Sequence, residues 1–223
     1  MANTSFCLSQ TAAKIWVAFL CACCMLSCSR FGAKPELEQA MSTKAPEKFL
    51  IKMYTSRGDV VLEAIRNWSP VGVDRLYQLV QTHYFDSSYI FRVQPDYVAQ
   101  FGIAAQPGVS NFWHKRPIED EPLKYSNLKG TVSFAREGPK SRDAQLFINL
   151  VDNPKLDTIN FMNLEGFPPI ARVIEGWDAI NDWNGQYGFE PANHQEKIYK
   201  QGNAFLENFY PGLDYIIKAE ILP

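Results

Sequence analysis

Beyond Cys28 the chain contains no cysteine. All five cysteines (Cys7, Cys21, Cys23, Cys24 and Cys28) fall at or before that position, which excludes a disulfide framework or a cysteine-ligated zinc in the body of the protein. Histidine is scarce too. His83, His114 and His194 are scattered without ligand spacing, and there is no Gly-x-Ser-x-Gly elbow. A metal enzyme and a serine hydrolase are both disfavoured on those grounds. Charge of one sign is missing as well. The net charge is −2, with acids and bases interspersed, so nothing points to nucleic acid or to an anionic surface as partner. No internal repeat is present.

What remains is a chain of 223 residues, 46% hydrophobic and 21% charged, the balance of a globular domain with a tail. The amino-terminal part reads as an export signal. Lys14 supplies a weak positive region, and Ile15 to Leu26 forms an apolar run too short to span a bilayer comfortably. Small residues then meet a cysteine, as Leu26-Ser27-Cys28 or Leu20-Cys21-Ala22-Cys23. Both resemble the bacterial lipoprotein signal, in which the cysteine is acylated and becomes the new amino terminus. Cys28 is preferred, because cutting at Cys23 leaves a very short apolar core; a plain secretory signal or an uncleaved anchor are the alternatives. The expected organisation is signal peptide over 1–28, flexible polar tether over 29–48 and folded domain over 49–223. The expected location is the bacterial cell envelope, lipid-anchored and facing the periplasm or exterior, with a soluble periplasmic protein as the alternative.

In the body, period-two patterns predict strands over Leu50–Thr55, Val60–Ala64, Tyr89–Val93, Val98–Gly102, Thr131–Ala135, Leu146–Leu150, Ile170–Ile174 and Tyr215–Ile221. Ser56-Arg57-Gly58-Asp59 suits a hairpin turn. Ser69 and Pro70 open a helix with Val73, Leu76, Tyr77 and Val80 as its apolar stripe, and Asp178–Trp183 suits a second short helix. The stretches 103–129 and, for the most part, 184–206 read as loop. Several connections are too short for parallel crossovers. A mainly β fold is expected, a closed eight-stranded antiparallel barrel capped by two helices.

Two strands have an odd second face. Leu146, Ile148 and Leu150 make a normal core face, but Gln145, Phe147 and Asn149 set a ring among amides. Ile90 and Arg92 share a side, as do Val98 and Gln100. An apolar spot ringed by an arginine and glutamines suits a ligand that is part apolar and part amide, such as a proline-containing peptide. The bland readings are a surface arginine, plain core for Phe147 and edge polar residues for the glutamines. Glu119-Asp120-Glu121 reads as a solvated charge run, and Arg136-Glu137 as a rim ion pair of small value.

From Phe49 to Pro223 the residues resemble the cyclophilin family of peptidyl-prolyl isomerases. The resemblance rests on the order and spacing of Tyr84 to Val93, of Tyr97, Val98 and Gln100, of Gly130-Thr131-Val132-Ser133-Phe134-Ala135-Arg136, of Ala144-Gln145-Leu146-Phe147-Ile148, of Leu156-Asp157 and of Ile170-Ala171-Arg172-Val173. The tail from Gln201 to Ile221 is similar to that of exported bacterial members. The resemblance implies isomerisation of X–Pro bonds in exported polypeptides, with a peptide-binding or chaperone module of little activity as the alternative. It implies Arg92 as catalytic residue and Tyr97, Val98, Gln100, Ala135, Arg136, Gln145, Phe147, Leu156 and Phe167 as substrate-binding residues. The expected partners are proline-containing polypeptides and, through the acylated Cys28, a membrane; no nucleic acid, cofactor or metal is expected, and the chain is expected to act as a monomer. There are departures. Lys155 stands where many members carry tryptophan, Phe167 replaces a pocket histidine, and Phe101 replaces a usual glycine, which would narrow the rim. No group in the expected site titrates near neutrality, so a flat rate between about pH 6 and 9 is expected.

Overall fold

Strand β1 (Lys48–Thr55) alternates strictly, with Phe49, Ile51, Met53 and Thr55 buried. It turns through Ser56 and Arg57 into β2 (Gly58–Ile65), with Thr55 opposite Gly58. Gly58 has φ 131°, a conformation that a side chain would resist, so this tight reversal needs glycine. The computed structural model describes residues 34–160, 162 and 165–223. The expected signal, the lipidation of Cys28 and the start of the tether lie outside those residues.

Six more strands follow: β3 (Arg92–Val93), β4 (Val98–Phe101), β5 (Thr131–Phe134), β6 (Leu146–Asn149), β7 (Pro169–Glu175) and β8 (Ile216–Ile221). All eight expected strands are present, paired in the order β3-β4-β6-β5-β7-β2-β1-β8, every neighbour antiparallel. The sheet curls strongly. Its two edges meet through the residues just before β3 and β8: the Ile90 N–H donates to Asp214 O and the Ile216 N–H to Ser88 O, both at 2.8 Å.

Helix α1 spans Lys34–Ala40 and α2 spans Pro70–Gln81. Val73, Leu76, Leu79 and Val80 of α2 are buried in the main core with Ile51, Met53, Leu62 and Ile170. Each such side chain contributes about 1.5–3 kcal/mol by leaving water. Gly72 permits the approach, since a Cβ there would lie 2.8 Å from Ile170 Cγ2. Ser69 does not cap this helix itself. The Glu121 carboxylate does, accepting from the N–H of Val71 at 2.8 Å and of Gly72 at 2.9 Å. The fully buried Arg142 pairs with the same carboxylate at 3.1 Å. The acidic run is therefore solvated only at Glu119; Glu121 is an internal brace.

Helices are more numerous than the two expected. Among the described residues the other α-helices are α3 (Pro107–His114), α4 (Trp177–Asn181), α5 (Gln195–Gln201) and α6 (Asn203–Phe209). Helix α4 is the expected short helix, but α3 and α5 lie in stretches that read as loop, and α6 begins in one. Helices α5 and α6 have seven residues each, too short to display a sustained apolar stripe; α3 has eight, with Val109, Phe112 and Trp113 at i, i+3 and i+4. Helices α5 and α6 bury only brief pairs, Ile198-Tyr199 and Phe205-Leu206, with Gly202 at φ 63° between them, while α3 buries Val109, Ser110, Phe112 and Trp113. The tether expectation also fails from Lys34 onward. Leu37 and Ala45 are buried in the core, the Gln78 amide donates to the carbonyls of Met41 and Thr43, and the Ala45 N–H donates to Asp74. Polar composition hid a segment that needs only two apolar anchors.

Candidate active site

Period two splits the central strands between two faces. Ala99, Phe101, Leu146 and Ile148 point into the main core, while Val98 and Phe147 point outward and cluster with Leu156 and Phe167. Phe101 thus packs against Phe85 in the interior, at 5.8 Å between ring centroids, and has no part in the rim. Tyr97 and Ala135 pack at the margin of the outer cluster. Phe147 and Phe167 meet edge to face, 5.5 Å apart. Their floor is fixed by hydrogen bonds, for the Phe167 carbonyl accepts from Asn127 Nδ2 at 3.0 Å and from Ser133 Oγ at 3.2 Å. Asp157 in turn accepts from the Asn127 backbone and side chain. The result is a small apolar socket on the outside of the sheet.

Strand register then sets an arginine beside it. Arg92 is opposite Gln100, and Gln100 is opposite Phe147, so the three form one row across β3, β4 and β6. Arg92 donates from Nε to Gln94 Oε1 at 2.7 Å and from Nη1 to Gln100 Oε1 at 3.0 Å. Its guanidinium carbon lies 5.3 Å from the Tyr97 ring centre and 4.5 Å from that of Phe189. These hydrogen-bond partners are neutral, so they orient the guanidinium without cancelling its charge. Burial pushes its pKa below the ordinary arginine value, yet an arginine in a protein stays protonated. Ile90, expected on the same side as Arg92, joins the main core instead, because the regular strand begins only at Arg92.

The ten residues expected to contact substrate all line one groove of about 360 Å³: Arg92, Tyr97, Val98, Gln100, Ala135, Arg136, Gln145, Phe147, Leu156 and Phe167. Arg136 is not a rim residue paired along the chain. Its side chain is buried, meets Asp120 at 3.2 Å, and donates to the Gly166 carbonyl. Asn149, expected on the groove face, is fully buried and bonded to Asn127 and Thr131 behind the socket. Lys155 is exposed and outside the groove lining.

Six lining residues stand outside the ten expected: His114, Glu137, Ser141, Asp143, Phe189 and Gln195. His114 and Asp143 are in contact, Nδ1 to Oδ2 at 2.5 Å. That hydrogen bond raises the His114 pKa, and partial burial opposes it. The groove therefore contains an imidazole whose pKa is shifted upward, a titratable group that the expected site lacked. The other lobe of the site, from Phe189 to Tyr199, was read as loop, and the pairing of its side chains with Arg92 and Gln145 leaves no local trace.

The fold and the groove together place the chain among strongly curled antiparallel β-sheet proteins that carry their site on the outer surface of the sheet. Comparison with known proteins narrows this class. The family profile "Cyclophilin type peptidyl-prolyl cis-trans isomerase/CLD" matches residues 50–201. The chain is 28% identical over 153 residues to peptidyl-prolyl cis-trans isomerase B of Escherichia coli (strain K12), covering 66% of this chain and 91% of that protein. It is 30% identical over 151 residues to peptidyl-prolyl cis-trans isomerase cyp18 of Streptomyces antibioticus, covering 66% and 89%. A crystal structure of a Cryptosporidium parvum cyclophilin type peptidyl-prolyl cis-trans isomerase shares the fold, with TM-score 0.58 at 15% identity, over 79% of this chain and 98% of that one. The same is true of that isomerase in the presence of the dipeptide Ala-Pro, with TM-score 0.57, 14% identity and 78% and 99% coverage. The chain belongs to the cyclophilin-type peptidyl-prolyl cis-trans isomerase family.

Proposed function

We propose that this isomerase acts on X–Pro bonds of exported polypeptides from the bacterial envelope, held there by acylation at Cys28, and that Arg92 is its catalytic residue. The observation that carries the catalytic assignment is the row of Arg92, Gln100 and Phe147, a fixed cation beside an apolar socket. The export assignment is supported by the amino-terminal pattern alone, an apolar run ending at Leu26-Ser27-Cys28.

Rotation of the amide is opposed by about 18–20 kcal/mol, because the nitrogen lone pair is delocalised into the carbonyl. No bond has to break. The twisted amide must be favoured over both planar forms. At the twist the lone pair localises on nitrogen and becomes a hydrogen-bond acceptor. A guanidinium N–H aimed at that position stabilises the transition state and not the ground state. Val98, Phe147, Leu156 and Phe167 hold the proline ring, and Ala135 and Arg136 shape the wall for the preceding residue. Gln100 keeps one amine hydrogen for a peptide carbonyl, and Gln145 lines the groove beside it and accepts the other. Millisecond turnover requires about 10⁴- to 10⁵-fold acceleration, roughly 5.5–7 kcal/mol. A single charge-assisted hydrogen bond supplies about 1.5–3 kcal/mol of that, so socket and amides must contribute the remainder through positioning.

The test is proline-limited refolding of a client with the full chain in detergent. Acceleration at substoichiometric chain supports the proposal. Protection from aggregation only at equal ratios, with no acceleration, would mark a holding module instead.

A further inference from the structure

We infer that the segment after the barrel's α4, from Phe189 to Tyr199, completes the catalytic apparatus, with Phe189 and Tyr199 as positioning residues that aim Arg92 at the socket. This rests on the assignment of Arg92 as the catalytic residue.

Two contacts reach the guanidinium system from this segment. The first is direct. Phe189 is 45% exposed, so burial does not explain its place, yet its ring lies 4.5 Å from the guanidinium carbon of Arg92. With Tyr97 at 5.3 Å, the cation has two aromatic neighbours from separate parts of the chain. Ring faces attract a cation without accepting its charge, and they restrict where it can swing.

The second is a directed chain of hydrogen bonds. Arginine can only donate, so the Gln100 oxygen must face it. That turns the Gln100 amine toward Gln145 Oε1, at 3.0 Å. The Gln145 amine is then obliged to face α5, where it donates to Gln195 Oε1 at 2.7 Å and to Tyr199 Oη at 3.1 Å. The Tyr199 hydroxyl has its own proton directed to Asp143 Oδ2, at 3.4 Å. A carboxylate can only accept, so the far end is as fixed as the near end. Every amide between Arg92 and Asp143 is thereby held in one of its two orientations. If Tyr199 lost its oxygen, Gln145 would keep one acceptor fewer, and the orientation of Gln100 under Arg92 would be less determined. Burial and the nearby Asp143 push the Tyr199 pKa well above the usual tyrosine value, so the hydroxyl keeps its proton throughout the working range. The anchor for this arrangement is Phe91. It is fully buried in a second cluster with Ile198, Tyr199, Phe205 and Leu206, and it turns its neighbour Arg92 to the groove.

The experiment compares kcat and KM for a proline peptide in the full chain in detergent. The variants are Phe189→Leu, Phe189→Tyr, Tyr199→Phe and Arg92→Ala, plus the doubles that combine Arg92→Ala with Phe189→Leu or Tyr199→Phe. Leucine keeps apolar cover but removes the ring face, tyrosine restores the face, and phenylalanine at 199 keeps the packing and removes only the hydroxyl. Phe189→Leu is expected to lower kcat about 2- to 5-fold and Tyr199→Phe about 2- to 10-fold, with KM within about twofold. Phe189→Tyr is expected to restore the parental rate. In the Arg92→Ala background neither substitution should change the residual rate, because both act through the arginine. Parental kcat in Phe189→Leu and Tyr199→Phe overturns the inference. So does a rise in KM alone, or an equal loss in the Arg92→Ala background. Full activity in Arg92→Ala would instead overturn the assignment of Arg92 itself, so the two failures are distinct.

Discussion

Arg92 and Gln100 face each other across β3 and β4, and the guanidinium donates to the glutamine oxygen at 3.0 Å. A neutral amide partner leaves the full positive charge available to a peptide. Had a carboxylate stood at position 100, the same geometry would have produced an ion pair and a weaker donor toward substrate. Replacing Arg92 by alanine is expected to preserve the fold and lower kcat/KM about 10²- to 10³-fold. Lysine should recover little, since an ammonium lacks the planar fork that engages Gln94 and Gln100 together. Isomerase assays alongside circular dichroism check this, and unchanged turnover in a well-folded alanine variant would defeat the mechanism.

Phe147 forms the centre of the socket, with Val98, Leu156 and Phe167 around it. Phe147→Ala should weaken proline-peptide affinity about tenfold or more and cost about 2–4 kcal/mol of stability, less than a sealed core site because the groove is open to water. Peptide titration and urea unfolding give the two numbers independently. An unaltered peptide affinity would remove Phe147 from the binding surface.

Glu121 joins an unsatisfied helix start to a buried cation. Glu121→Ala deprives the Val71 and Gly72 N–H groups of their acceptor and leaves Arg142 poorly compensated. A loss of about 3–5 kcal/mol is expected, equivalent to a fall in Tm of about 6–20 °C. Glu121→Gln keeps an acceptor without the charge and should fall between the two. Thermal unfolding decides, and a shift under about 2 °C for the alanine variant would return Glu121 to the solvated class.

His114 has its pKa raised above 6.5 by its hydrogen bond to Asp143. A folded-state pKa above the unfolded one means that protonation favours the native protein. The contribution is therefore complete below about pH 6.5 and is lost as pH rises through the folded value. The imidazole is half exposed, so solvent screening keeps the effect small, about 1–3 °C in Tm. A His114→Gln variant should lack this alkaline decline in a thermal scan from pH 6 to 9, and an identical slope in both proteins would exclude His114 as its source.

Cys28→Ala should abolish metabolic fatty-acid labelling and release the chain from the membrane fraction. Persistent labelling in that variant would move the modification to Cys23, and absence of labelling in the parental chain would favour a plain secretory signal.

The strands were legible because alternation is local. Ile51, Met53 and Phe49, or Leu146 and Ile148, announce a buried face within a few residues, and the turn at Gly58 needs no distant partner. The ten groove residues were legible through the resemblance of their motifs to the cyclophilin family. The charged residues were misread. Glu121 looks like any surface acid, and nothing near it in the chain shows that Gly72 will lie at its oxygen. Helices α5 and α6 were missed because two buried residues each do not make a period, and α3 because its Val109, Phe112 and Trp113 give only a single i, i+3, i+4 repeat in a polar, proline-bearing stretch.

The sequence by itself determined the eight strands and most of the faces within them, with Ile90 and Asn149 as exceptions. Only the tertiary structure decided what closes over those faces. Gln145 meets Gln195 across 50 positions of chain, and Glu121 meets Gly72 across 49. Side-chain direction follows from backbone repeat and is written locally. The partner of a polar group is set by which distant surface the curled sheet brings within 3 Å of it, and that exists only once the whole core has packed.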